Sequence, residues 1–334
     1  MIQNPKAVII NDTSTRYHHG CARVMRLLCD GLTAAGLDIV ARSPARHDWA
    51  NDPAFLAALS TADVIVINGE GTLHHGKPAG ETLLKIVDHP NRKNTPVALV
   101  NALYQDNPAH WNAWLEKCDL LSARDSKSAE ALTLASGKPA RWLPDLSLSA
   151  LAPPSNAPRS GVIVGDSVKF PVRKALAQAA TQIPMARFVP TKTLRGRIWN
   201  WSLARGMLYR LYNGVFAGRR PPFVMPANEA AYLAELATAD LHLTGRFHAV
   251  CLSMLTETPF LAVTSNASKI ERLLIDAGLG TSRMRTLAQL KPPPASAPFT
   301  TDELIAIAEF RQRTRDASKQ LFSDIAALAK GASS

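Results

Sequence analysis

Ala239-Asp240-Leu241-His242-Leu243-Thr244-Gly245-Arg246-Phe247-His248-Ala249-Val250-Cys251 reads as a buried strand, a tight turn and the start of a helix. Leu252-Ser253-Met254-Leu255 continues the helix, and Pro259 to Val263 is a second strand of the buried type. Gly245 lets the backbone turn sharply between strand and helix. The helix N-terminus behind it favours anions through its free N–H groups and its macrodipole. Arg246 adds a permanent fork of donors suited to a carboxylate or a phosphate. His248 adds a side chain that trades a proton near neutral pH. A single short turn therefore combines an anion clamp with an acid/base. The competing reading is an Arg and a His that merely decorate a surface.

Outward from this stretch the same alternation recurs. In the first half, strands are expected at Lys6–Asn11, Leu37–Arg42, Asp63–Asn68, Pro96–Ala102 and Leu120–Ala123. Helices are expected between them, near Cys21–Ala35, Pro53–Ser60, Ala79–Val87, Pro108–Lys117 and Ser126–Ala135. Strand and helix alternating through short links imply a parallel, doubly wound α/β sheet. Ala152-Pro153-Pro154-Ser155-Asn156-Ala157-Pro158 is a linker. Alternation restarts at Gly161–Gly165 and continues through Met185–Val189, Asp240–Leu243 and Pro259–Val263. Lys291 to Pro298 breaks the pattern again, and Thr301-Asp302-Glu303 opens a terminal helix running to about Ala329. The expected architecture is two Rossmann-like domains, residues 1–152 and 159–334, facing a cleft in the GT-B manner, with the terminal helix in the second domain. Ligands of such sheets bind at the carboxyl ends of the strands.

With 334 residues, two domains and a sizeable core are expected. An apolar fraction of 46% is ordinary for a soluble chain. Cys21, Cys29, Cys118 and Cys251 lie far apart with no CxxC pair, which disfavours a zinc ribbon or a disulfide framework and fits a reducing compartment. Nothing resembles a signal peptide, and no apolar run is long enough to span a bilayer. The expected location is the cytoplasm, peripheral at the inner face of the membrane in one reading.

That reading comes from the charge pattern. The net charge is +11, and no Asp or Glu occurs between Ser167 and Asn228. The same stretch holds eleven basic residues; without them 27 basic residues face 27 acidic ones. From Lys192 to Arg220 arginines alternate with Trp199, Trp201, Tyr209, Tyr212 and Phe216. An interfacial helix on an anionic membrane has this composition. A packed helix with a basic rim is the plainer reading, and a nucleic-acid surface is the least favoured.

The turns after successive strands of the first half carry further polar residues. Asn11 to Gly20 includes Asn11, His18 and His19; Asn68 to His75 includes Glu70, Gly71 and His74; Tyr104 follows the fourth strand. Asn11, His18, His19, Gly71, His74 and Tyr104 are expected to contact substrate, with hydrogen-bonding loop residues as the plainer alternative. Gly71 would let a ligand approach the backbone. Adjacent histidines make a poor chelate and no Asp-x-Asp occurs, so no metal is expected. Glu70 and Asp145 are the general-base candidates, each with a cap or turn role as its alternative.

These motifs together resemble the polysaccharide pyruvyl transferase family over roughly residues 6–280. The resemblance rests on Gly245-Arg246-Phe247-His248, the strand Thr258–Val263 and the segment Ser265-Asn266-Ala267-Ser268-Lys269. It also rests on Val64–Leu73, on Ser122-Ala123-Arg124-Asp125-Ser126 and on Pro144-Asp145-Leu146. It implies transfer of the enolpyruvyl carbons of phosphoenolpyruvate, the donor substrate, to two hydroxyls of a sugar, with no cofactor. Arg246 and Lys269 would clamp the donor's anionic groups, with Gly245, Ser268 and Asn266 beside them. His248 would carry the acid/base chemistry, and Glu70 or Asp145 would activate a hydroxyl. The acceptor would be a glycan or a lipid-linked oligosaccharide. Two turns depart from the family pattern: His18-His19-Gly20-Cys21, and Ser265–Lys269, which lacks an aromatic residue. Ser, Asn and Lys at a helix N-terminus would equally hold a nucleotide phosphate. The alternative is therefore a GT-B glycosyltransferase using a nucleotide-activated sugar, such as a CMP-linked acidic sugar of the Kdo or sialic type.

Overall fold

The computed structural model describes residues 3–194, 197–264, 268–294 and 296–332. The chain divides into two compact units. Unit 1 comprises Met1–Arg16, Val24–Ser149 and Gln312–Ser334; unit 2 comprises Tyr17–Arg23 and Ala150–Arg311.

Unit 1 is built from β1 (Lys6–Asp12), the body of α1 (His19–Ala34), β2 (Asp38–Pro44), α2 (Pro53–Leu59), β3 (Val64–Asn68), α3 (Pro78–Leu84), β4 (Val97–Ala102), α4 (Asn112–Leu115), β5 (Leu120–Ala123), α5 (Ser126–Ser136) and β6 (Arg141–Trp142). All neighbouring strands pair in parallel, in the order β2-β1-β3-β4-β5-β6. The central strands β3 and β4 are buried at every position, as strands covered on both faces must be. β2, at the edge, is mostly half-buried or exposed. Local chemistry sets the helix ends. Asp52 caps α2 through the N–H groups of Ala54 and Phe55, with Pro53 in the first turn. Asp125 caps α5, which ends at Gly137 in the left-handed conformation.

Unit 2 contains β7 (Val162–Ser167), α6 (Phe170–Gln182), β8 (Arg187–Phe188), α7 (Ser202–Asn213), α8 (Glu229–Ala237), β9 (Leu241–Gly245), α9 (Phe247–Leu255), β10 (Phe260–Val263), α10 (Lys269–Asp276) and β11 (Met284–Arg285). Its sheet is again wholly parallel, in the order β11-β10-β9-β7-β8. Val162, Val164, Leu176, Phe188, Leu241 and Leu243 form part of its core.

Two corrections to the expected domain plan follow. The terminal helix α11 (Thr301–Ala332) does not lie wholly with the second domain. From Gln312 onward it belongs to unit 1, where Leu321, Phe322, Ile325 and Ala329 pack with Val24, Met25, Leu28 and Leu32 of α1. Those four residues recur at helical spacing and bury one stripe of α11 against the sheet. The second correction concerns Tyr17–Arg23, which belongs to unit 2. The N–H of Thr193 donates to the Tyr17 carbonyl (2.8 Å) and that of His19 to the Thr191 carbonyl (3.1 Å).

Candidate functional site

In unit 2 the polar residues gather where β7 and β9 end. Asp166, fully buried near the end of β7, accepts from Nε of Arg246 at 2.9 Å and from its Nη2. Its other oxygen accepts the Thr191 N–H at 2.9 Å. Burial works against the Arg246 charge, but Asp166 more than offsets it and holds the guanidinium above its usual range. Arg246 is the N-cap of α9, so its side chain is anchored beside the helix N-terminus. Gly245 is required by space. A Cβ there would stand 2.8 Å from the Ser167 side chain, closer than real contacts allow. The sequence reading did not single out Asp166; its one signal was an acidic residue just past the strand Gly161–Gly165.

His248 lies in the first turn of α9, buried, with the His18 ring edge-on to it at 5.3 Å. Gly20 makes this approach possible: a Cβ on it would fall 2.2 Å from the Cβ of His248. Donor atoms of His18, Cys21 and His248 lie within 4.8 Å of one another, a nitrogen–sulfur–nitrogen set of the types zinc accepts. The sequence argued against a chelate because His18 and His19 are adjacent. The fold instead separates that pair and groups one member with two other residues.

His19 stacks on Tyr232 at 4.8 Å, and the Tyr232 hydroxyl is 3.0 Å from Thr191 Oγ1. Burial pushes His19 down to about 4, with Asp166 and Glu229 pulling weakly the other way. Burial likewise pushes His242, in β9, down to about 3, partly opposed by Asp166. His242 Nδ1 is 2.8 Å from Ser253 Oγ, which donates to the Ala249 carbonyl; the ring is therefore the neutral Nδ1–H tautomer.

Both histidines stay neutral in the fold and bind a proton on unfolding below pH 6.5. The unfolded state then holds more protons, so stability is full above pH 6.5 and falls as pH drops toward 4. The limiting slope is roughly 1.4 kcal/mol per pH unit for each group. Urea unfolding from pH 7.5 to 4.5 is expected to show this loss, and His242→Gln is expected to flatten it by one such slope. An unchanged slope in that variant would show that His242 is not the titrating group.

Unit 1 presents a separate cluster. Three neighbouring strands each end in a left-handed residue that is not glycine: Asn11 (φ 67°), Glu70 (φ 37°) just past β3, and Asn101 (φ 55°). Asn tolerates this conformation and Glu does so less well. Such backbone strain concentrated at the carboxyl ends of parallel strands marks a functional candidate. Asn11 Nδ2 donates to the Asn68 carbonyl at 2.6 Å and to Thr72 Oγ1 at 3.1 Å. Asn68 Nδ2 lies 3.5 Å from Glu70, which is buried. Asn68 Oδ1 and Asn101 Nδ2 are buried without a hydrogen-bond partner among the described residues.

The remaining expectations divide. Asp145 is fully buried, faces Arg124 at 3.4 Å and accepts the Ser147 N–H at 3.0 Å. Both its oxygens are engaged, and it caps the turn Leu146–Leu148, which is the structural alternative. Tyr104 packs in the apolar core of unit 1 instead of presenting its ring to a ligand. Gly71 is not sterically required, since the nearest atom to a Cβ there would be 3.7 Å away; Gly69 is the constrained one, 2.7 Å from the Ala102 side chain. His74 lies 2.6 Å from Lys77 Nζ, in a loop. His18 and His19 belong to unit 2, whereas Asn11, in the same turn, belongs to unit 1. Ser268 and Lys269 begin α10, after β10, the strand next to β9. Asn266 and Arg195 lie outside the described residues.

Two wholly parallel α/β sheets with a C-terminal helix define the GT-B class of protein. Solved structures share this architecture. A UDP-N-acetylglucosamine 2-epimerase from Rickettsia bellii is 9% identical, with 98% of this chain and 96% of that one covered and a TM-score of 0.50. The S. aureus MnaA–UDP co-structure is 11% identical, with 93% and 91% covered and a TM-score of 0.50. An O-GlcNAc transferase mutant from Thermobaculum terrenum is 15% identical, with 99% and 67% covered and a TM-score of 0.47. At such identities the two likenesses with a TM-score of 0.50 show the fold alone. No curated protein sequence matches the chain. The family model for polysaccharide pyruvyl transferase matches residues 4–266, and the chain belongs to that family. Membership makes it a transferase. Among the described residues no helix is long and apolar enough to cross a membrane.

Proposed function

We propose that the protein moves the enolpyruvyl carbons of phosphoenolpyruvate onto two hydroxyls of a sugar during assembly of a bacterial surface glycan, making a pyruvyl ketal. The observation that carries this reading is the turn after β9. A half-buried arginine held by Asp166 and a histidine two residues on stand at the N-terminus of α9, in a chain of this family.

The chemistry makes three demands. The donor's phosphate and carboxylate need N–H donors and positive potential. Asp166 takes Nε and Nη2 of Arg246, leaving Nη1 to meet the donor. Because Asp166 also neutralises that charge, Lys269 and the helix N-terminus supply the potential. The enol carbon C3 needs a proton, which His248 delivers; C2 becomes cationic and accepts the first sugar oxygen. The C2–phosphate bond then breaks and the second sugar oxygen takes its place. Of the two hydroxyl protons, one replaces the proton lost by His248 and the other leaves with phosphate. The acceptor is a glycan or a lipid-linked oligosaccharide. No metal takes part in this scheme, so a chelator is expected to leave the rate unchanged; a loss of rate restored by zinc would make His18, Cys21 and His248 metal ligands.

Ligand-induced thermal stabilisation tests the donor. At 100 times Kd, phosphoenolpyruvate is expected to add about 2.7 kcal/mol to stability. CMP and UDP are expected to add nothing. Stabilisation by CMP without phosphoenolpyruvate would overturn the pyruvyl reading in favour of a CMP-sugar glycosyltransferase.

A further inference from the structure

The basic aromatic segment of unit 2 takes no part in the chemistry above. α7 carries Met207 and Leu211 four residues apart on one face, and both are more than half exposed. Trp201, just before the helix, and Phe216, just after it, are also more than half exposed. The packed-helix reading accounts for only one side of α7: Tyr209 is buried against Phe188 and Phe223, while this apolar face is left to solvent.

Cations lie on α7 and on the segments beside it. The Arg173 guanidinium lies 3.8 Å from the Tyr212 ring centroid and donates to the Tyr212 carbonyl at 2.8 Å. Arg210 donates to the Phe216 carbonyl and Arg219 to the Ile183 carbonyl. Arg220 packs over Gly206 of α7. These hydrogen bonds go to neutral carbonyls, so the positive charges are left uncompensated. None of Arg173, Lys174, Arg210, Arg219 and Arg220 forms an ion pair with a carboxylate among the described residues. The acid-free stretch between Ser167 and Asn228 removes any local source of one.

We propose that this face of α7 docks on the surface of an anionic lipid bilayer, with Met207, Leu211, Trp201 and Phe216 entering the headgroup–acyl boundary and the arginines meeting lipid phosphates. Within that face the aliphatic pair Met207 and Leu211, not the rings of Trp201 and Phe216, selects a bilayer over a nucleic acid or another soluble polyanion. Met207 and Leu211 offer no ring to stack on a base, whereas both gain by leaving water for the acyl boundary. The site is independent of the donor chemistry, and its test does not rely on activity.

The test is co-sedimentation of the full chain with phosphatidylcholine vesicles, with and without about one-third phosphatidylglycerol. Binding is expected only to the anionic vesicles and to weaken as salt rises. Each basic residue near such a surface is worth about fivefold in partitioning, so Arg210→Gln with Arg219→Gln and Arg220→Gln is expected to lose about a hundredfold. Met207→Ser with Leu211→Ser, both at exposed positions that leave the fold intact, is expected to lose tenfold or more with all charges kept. Equal binding to both vesicle types would overturn the proposal. So would anionic binding that the Met207/Leu211 variant retains in full; if heparin or duplex DNA then competes for that binding, the face is a polyanion site instead.

Discussion

Replacing His248 with Asn is expected to lower the single-turnover rate of pyruvyl transfer by about 10²–10⁴ while leaving the phosphoenolpyruvate Kd within a few fold. The asparagine amide keeps a hydrogen bond to the donor but exchanges no proton near neutral pH, so binding and chemistry separate. The first turn of α9 puts His248 two residues from Arg246 and edge-on to His18, at the end of the sheet where the donor is proposed to bind. If affinity collapses while the bound complex still reacts at a near-normal rate, His248 is a binding residue. The proton to C3 would then come from elsewhere in the site, with His18 the nearest candidate.

Replacing Asp166 with Ala is expected to cost about 3–5 kcal/mol of unfolding free energy. Asp166 is fully buried, and Arg246 donates to it through two nitrogens. Removing the carboxylate leaves a half-buried guanidinium with its counter-charge gone and the Thr191 N–H unpaired. The urea midpoint should fall at constant m-value. Adding Arg246→Met to Asp166→Ala is expected to recover most of the loss, since an apolar chain of similar length removes the stranded charge. A double variant no more stable than the single one would mean that the ion pair is not what the carboxylate stabilises.

Much of the scaffold was legible because its code is local. Val64–Ile67 and Val97–Val100 are continuous apolar runs, and such runs bounded by polar turns have few alternatives to buried parallel strands. The stop and start signals at Asp52-Pro53 and Asp125 act within three residues, and both helices begin where those residues imply. β6 and β11 were missed because two residues give no periodicity to read. Met185–Val189 shortened to the pair Arg187–Phe188, with Met185 itself in the left-handed conformation and largely exposed.

The site was only half legible. Arg246 and His248 stood out because glycine, arginine and histidine fall within four residues at a strand–helix turn, a short-range pattern that sequence carries in full. The partner that orients Arg246 stands 80 positions away, and nothing near Asp166 announces it. The same holds for His18 and His19, which follow β1 in sequence yet pair through their backbone with Lys192 and Thr191, far along the chain. Asp145 read as a free base until packing set Arg124 against it. The sequence by itself determined two parallel α/β sheets, their order along the chain, the family and the strand–helix turn that holds Arg246 and His248. Each of these follows from residues within a few positions of one another. Only the tertiary structure decided which carboxylate pairs with which cation, which histidines lie together and where α11 packs from Gln312 onward. Those outcomes depend on contacts between segments scores of residues apart, and on burial, which turns a polar side chain from a solvated group into one that must find a partner.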